Sequence, residues 1–314
     1  MPSDQQPDQY PESAADPARG ARAVTLVIVL AALVPLGLAG WLGGRALFGG
    51  GAQAVAAAPG DGRRTPSGAR GPTTPGPSGA PRSTPAGALP LAGKVVLIDP
   101  GHNPGNYRYP DQINALVPVG NGSKACDTTG TETDAGYPEA DFTLDVARRA
   151  RVILQAEGAK VVFTQDGDRP WGPCVTERAE IGNAAHADAA VSVHGDGAGA
   201  DDYGFHVILP ALVVAGGADT APIVGPSRTL GLDLRAAFQH ATGEPFATYI
   251  DHGTGLDVRS DLGGLNLSTV PKVFIECGNM RNSTDAGRMT SASWRQGAAQ
   301  GIAAGLTAYL LHQN

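Results

Sequence analysis

Residues 95–103 read "VVLIDPGHN". Four apolar residues in a row, three of them β-branched, are the pattern of a short buried strand. Asp-Pro-Gly then stops it, because proline has no N–H for a ladder and glycine turns freely. The strand therefore delivers His102 to its C-terminal end. In open α/β sheets, ligands bind beyond the C-terminal ends of the strands. The fold and the chemistry both turn on what else reaches that edge.

Four more β-rich runs follow: "KVVFTQ" (160–165), "AAVSVH" (189–194), "GFHVIL" (204–209) and "KVFIEC" (272–277). Helical periods lie between most of them. In Glu139–Glu157 the residues Phe142, Val146, Ile153 and Leu154 share a face, and Gly158 supplies a stop. Thr176–Ala187 is a second helix, and Leu230, Leu234 and Phe238 mark a third. Ser291–His312 is a fourth, with Ile302, Leu306, Tyr309 and Leu310 on one face. Strand–helix alternation predicts an α/β sheet covered on both faces, spanning a domain at 92–314.

What precedes that domain has a different composition. Residues 1–22 begin polar and acidic with no apolar period, and are read as a disordered cytoplasmic tail. Twenty uncharged residues follow from Ala23 to Leu42, long enough to span a bilayer. Arg19 and Arg22 in front place the N-terminus in the cytoplasm, and Trp41 suits an interfacial anchor. We take 23–43 as an uncleaved transmembrane signal anchor. The competing reading is a signal peptide cleaved at "AQA" (52–54) or "AAA" (56–58). The domain is extracytoplasmic under the first and secreted under the second. Residues 44–91 are rich in Gly, Pro, Ser and Thr and read as a linker.

The formal net charge of −7 argues against a nucleic-acid partner, as does the lack of a basic helix or zinc-finger spacing. Three cysteines, Cys126, Cys174 and Cys277, are too few for a disulfide-built scaffold and include no CxxC pair.

At the strand ends stand His102, His194 and Glu276. Glu139 lies in the first turn of a helix whose start is marked by Pro138. Two histidines and one carboxylate make a common catalytic zinc set with an open position for water. A second carboxylate that does not bind the metal can move the proton of that water. Spacing alone leaves open whether each histidine is an ordinary loop residue.

Four blocks together carry more. "VVLIDPGHN", "YPEADFTLDVARRARVIL" (137–154), "AAVSVHGDGA" (189–198) and "KVFIECGNMRN" (272–282), in that order, resemble the signature blocks of the zinc-dependent N-acetylmuramoyl-L-alanine amidases of the amidase-3 type. The likeness covers essentially all of 92–314 and is nearest to periplasmic actinobacterial and mycobacterial members. Those also share the "GPC…ER" stretch at 172–178 and a long segment after the first histidine. The resemblance implies a mixed, mostly parallel six-stranded sheet flanked by helices. It implies one Zn2+ on His102, Glu139 and His194, with Glu276 as the catalytic glutamate. The implied reaction is hydrolysis of the amide between the lactyl group and L-alanine of peptidoglycan or muropeptides, by a monomer tethered to the membrane. Another zinc peptidase or a deacetylase would carry other motifs, such as HExxH, which is absent. A non-catalytic muropeptide-binding module would lack one of the four residues.

Several residues stand outside that set. Asp196 replaces a neutral residue of many relatives, and we read it as solvent-facing rather than metal-bound. The 35 residues from Asn103 to Tyr137 form a loop long enough to be functional. We expect it beside the cleft, shaping or partly covering access. Cys126 in that loop and Cys174 are expected to pair, since the compartment permits it. Cys277 alternates away from Glu276 and reads as a core thiol. Arg259 could hold a stem-peptide carboxylate or be an ordinary surface arginine. Asn282 could contact substrate or only cap the next helix. His206 reads as structural.

Overall fold

The computed structural model describes residues 89–313. The expected tail, the membrane span and all but the last three residues of the linker lie outside the described residues. Leu91, at the end of that linker, is fully buried, and its N–H bonds the Glu157 carbonyl at 2.9 Å.

In chain order the main elements are β1 (Val95–Pro100), α1 (Glu139–Ala156), β2 (Lys160–Phe163), α2 (Val175–Ala184), β3 (Ala189–Asp196), β4 (His206–Pro210), α3 (Ala221–Thr242), β5 (Leu256–Arg259), β6 (Lys272–Asn279), α4 (Ser283–Met289) and α5 (Ala292–His312). The sheet has six strands in the order β2-β1-β3-β6-β4-β5. β2, β1, β3 and β6 pair in parallel, β4 is antiparallel to β6, and β5 is parallel to β4. This is the mixed six-stranded α/β sheet expected. Among the described residues no helix is long and apolar enough to cross a membrane.

Alternation divides each strand between two faces. Val96 and Ile98 of β1, Val191 and Val193 of β3, and Val273, Ile275 and Cys277 of β6 enter one continuous core with α1, α3 and α5. Phe205, Val207 and Leu209 around β4 and Leu230, Leu234 and Phe238 of α3 complete it. The other face carries a small apolar cluster of Leu97, Ala190 and Val270. Next to it stand Asp99, Ser192, His194, Phe274, Glu276 and His206, one polar or aromatic residue after another.

β5 was not anticipated from composition. It is a four-residue edge strand with Val258 exposed, preceded by Gly253 and Gly255, so its apolar content is slight. α3 also runs further than its three apolar markers suggested, with Pro226 inside it. The long loop is folded. It holds a short helix at Pro110–Ile113 and a hairpin pairing Leu116–Pro118 with Ser123–Ala125.

Candidate metal centre

β1 and β3 are adjacent and parallel, so their C-terminal ends bring His102 and His194 together. Their rings meet edge to face at 5.1 Å between centroids. His102 has φ +60°, a left-handed backbone that is uncommon for a side chain larger than glycine. Glu139 is the first residue of α1, where the helix dipole favours a carboxylate. Its Oε2 accepts the Thr131 N–H at 2.9 Å and its Oε1 accepts the Gly195 N–H at 3.1 Å. Those bonds aim it between the histidines. Oε2 is 3.2 Å from His102 Nε2, and Oε1 is 2.9 Å from His194 Nδ1. One donor atom from each of His102, Glu139 and His194 lies within 4.8 Å of the others, so a single small ion can bridge them. Two imidazoles and one carboxylate fit zinc.

Two glycines make room for this packing. A Cβ on Gly101 would fall 2.4 Å from the His194 ring. At Gly130, with φ +77°, it would fall 2.7 Å from both Glu139 Oε2 and His102 Cδ2.

The two histidine rings are held from behind. His102 Nδ1 lies 3.1 Å from the Thr128 carbonyl and 3.4 Å from Asp127 Oδ1. Such outer partners fix the orientation of a metal-binding imidazole. Asp127 is paired with Arg178 Nη2 at 2.9 Å. Arg178 Nη1 reaches Asp99 Oδ1 at 2.8 Å, and Lys272 Nζ reaches Asp99 Oδ2 at 3.0 Å. Thr164 and Ser192 hydroxyls also donate to Asp99. His194 stacks flat on Phe274, 5.2 Å between centroids and 3° apart in plane. Burial opposes the charged form of His102, but Glu139 and Asp127 outweigh it and hold its pKa up to about 10.

Glu276 lines the same cleft, about 500 Å³, as the three donor residues. Its Oε2 is buried and has no hydrogen-bond partner. Burial, then the Glu139 and Asp196 carboxylates, push its pKa well above the ordinary carboxylate range. Cys277 points into the core as expected, and burial raises its thiol pKa. A second cavity of about 320 Å³ lies beside the first, bordered by Lys124 and Ala125 of the hairpin and sharing His102 and His194. The loop therefore does border the cleft, through Thr128, Gly130 and Thr131. Cys126 and Cys174 are bridged, with Cα atoms 4.3 Å apart.

Further residues take defined places. Arg259 is at the cleft, but its guanidinium already forks onto Asp261 at 2.8 and 2.7 Å. Asn282 is not among the cleft's lining residues. Its side chain accepts the Thr284 and Asp285 N–H groups as the N-cap of α4 and donates to the Ala200 carbonyl, which uses its amide locally. Asp196 does not simply face solvent: it is half-buried and lines the cleft, because alternation along β3 puts it on the same face as His194. His206 is buried opposite Glu276 in the β4–β6 ladder, and its Nδ1 has no partner. Sequence reasoning missed Asp99, Asp127, Arg178 and Lys272. The one available signal was an acid closing an apolar strand at Asp99.

The family model described as N-acetylmuramoyl-L-alanine amidase (Amidase_3) matches residues 96–308. The N-acetylmuramoyl-L-alanine amidase Rv3717 of Mycobacterium tuberculosis is 41% identical over 224 residues, covering 71% of this chain and 89% of the relative. The crystal structure of the amidase Ami1 from Mycobacterium smegmatis aligns with a TM-score of 0.65 at 40% identity, over 71% of this chain and 99% of that one. The apo form of Ami1 from Mycobacterium abscessus gives 0.64 at 42% identity, over 70% of this chain and 100% of that one. The site built at the ends of β1, β3 and β6 thus sits in a chain that belongs to the amidase-3 family of N-acetylmuramoyl-L-alanine amidases.

Proposed function

We propose that the chain hydrolyses the amide between the lactyl group of N-acetylmuramic acid and L-alanine in peptidoglycan, with one Zn2+ held by His102, Glu139 and His194. The carrying observation is the convergence of those three donors beside Glu276, whose buried Oε2 has no partner. Zinc bound there supplies Lewis acidity toward the amide carbonyl and lowers the pKa of water. Glu276 takes the proton of the attacking water and delivers it to the alanine nitrogen as the C–N bond breaks. Asp127 and the Thr128 carbonyl keep the His102 ring turned toward Glu139. Phe274 fixes the plane of His194.

The finer reading adds location. The uncharged run at 23–42 and the Cys126–Cys174 bridge both support a membrane-anchored, extracytoplasmic domain, since disulfides persist in oxidising compartments. We take the enzyme to act as a monomer.

The test is product analysis. The zinc-loaded chain is incubated with a muramyl peptide and the fragments are identified by mass. A free lactyl carboxylate and a peptide beginning at L-alanine are expected. Cleavage inside the peptide, loss of an acetyl group, or no reaction rejects the assignment.

A further inference from the structure

We propose that Asp196 is an ammonium-binding subsite of the cleft. The proposal rests on the amidase reading and deepens it by naming what the cleft holds besides the scissile bond. Asp196 follows His194 by two residues on β3, on the same face and roughly 7 Å further along the strand. Its carboxylate is fixed twice. Oδ2 accepts the Tyr249 hydroxyl at 2.7 Å, and Oδ1 accepts the Gly197 N–H at 2.7 Å. Tyr249 is itself seated edge-on against the buried His206 ring, 6.0 Å between centroids.

A carboxylate has about four acceptor positions, and these two bonds use half of them. Among the described residues Asp196 forms no ion pair with any lysine, arginine or histidine, although it is half removed from water. Arg259, which lines the same cleft, is already paired with Asp261. The cleft therefore offers a fixed carboxylate with free acceptor sites. A primary ammonium matches it, with three N–H donors and one positive charge.

The substrate class supplies two such groups. One is the side-chain amine of a diamino residue in the stem peptide. The other is the α-amine that hydrolysis uncovers on alanine. Both are protonated near neutral pH, with ordinary pKa values of about 10 and about 8.

The test uses the zinc-loaded full-length chain and the tripeptide L-Ala–γ-D-Glu–L-Lys. The peptide is presented unmodified, acetylated on the α-amine, or acetylated on the lysine amine, with binding measured by calorimetry. Acetylating one of the two amines is expected to weaken binding about tenfold or more, as for loss of a charge-assisted bond. Which amine does so identifies the source. Asp196→Asn is expected to erase that discrimination while zinc content stays at the wild-type level. The proposal is overturned if the unmodified peptide does not bind, or if neither acetylation matters. It is equally overturned if Asp196→Asn weakens all three peptides alike or loses zinc. Should Asp196→Asn not fold, Tyr249→Phe, which releases the carboxylate, must reduce the same discrimination; unchanged discrimination counts against the subsite. Turnover of a muramyl peptide is measured in parallel. Discrimination without turnover rejects the amidase reading alone, and turnover without discrimination rejects the subsite alone.

Discussion

Asp99 and Glu276 stand on the same face of one sheet, on strands separated only by β3, and their surroundings are opposite. Asp99 is fully buried and takes hydrogen bonds from Thr164, Arg178, Ser192 and Lys272. Burial alone would raise its pKa, but Lys272 and Arg178 outweigh burial and hold it well below the usual range. Glu276 has a buried oxygen that nothing donates to, and burial with the Glu139 and Asp196 carboxylates outweighs His102 and Arg259 in raising its pKa. A saturated buried charge is part of the scaffold. An unsatisfied one has a cost that folding alone does not recover, and at a cleft it is a group kept ready for a proton. The pair distinguishes the cluster that orients His102 from the residue proposed to work on substrate.

The comparison breaks most visibly at the metal centre. Glu139→Ala removes the carboxylate between the two histidines. Bound zinc, measured by metal analysis, is expected to fall from one per chain to near none, with turnover lost. Retained zinc means that another ligand set holds it.

The scaffold side is tested by Arg178→Met. Asp99 and Asp127 then lose a buried cation, and breaking a buried pair typically costs about 3–5 kcal/mol. Urea unfolding should show a loss of that order. A change below about 1 kcal/mol would show that the cluster is not integral to the fold.

The disulfide has the next effect. It joins residues 48 apart. Closing a loop of that length is worth about 4 kcal/mol in the chain-entropy picture, less where the folded state is strained. The Cys126→Ser, Cys174→Ser double variant should be less stable by up to that amount.

The last effect concerns pH. Glu244 is buried against Asp285, and burial, then the Asp285 charge, push its pKa up to about 8, with Arg288 working the other way. The folded chain keeps a proton that the unfolded chain releases at ordinary carboxylate pH. The resulting stability is present in full below about pH 4.5 and is lost as pH rises through about 8. Glu244→Gln should flatten that slope in thermal melts between pH 5 and 9; an unchanged slope removes Glu244 as its source.

Much of the site was legible because its parts fall at strand ends and a helix start. "VVLIDPGH" marks a strand, a stop and a ligand, and Pro138 marks where Glu139 must stand. The five apolar runs gave the sheet except β5, whose four residues carry too little apolar content to stand out. The saturated cluster was invisible for a different reason. Asp99, Asp127, Arg178 and Lys272 are ordinary charged residues in sequence, and burial on the second face joins them only after β1, α2 and β6 have packed. Asp196 was misjudged for the same reason: alternation gives its face, but not that Tyr249 closes over it.

The measurement that tests the account most directly is Glu276→Gln, which keeps the side chain's shape and removes its ability to carry the proton. Zinc content and release of the new L-alanine amine are measured on the same sample. The account predicts wild-type zinc and a rate lower by about 10²–10⁴-fold. Wild-type zinc with a rate within a few-fold of wild type would contradict it.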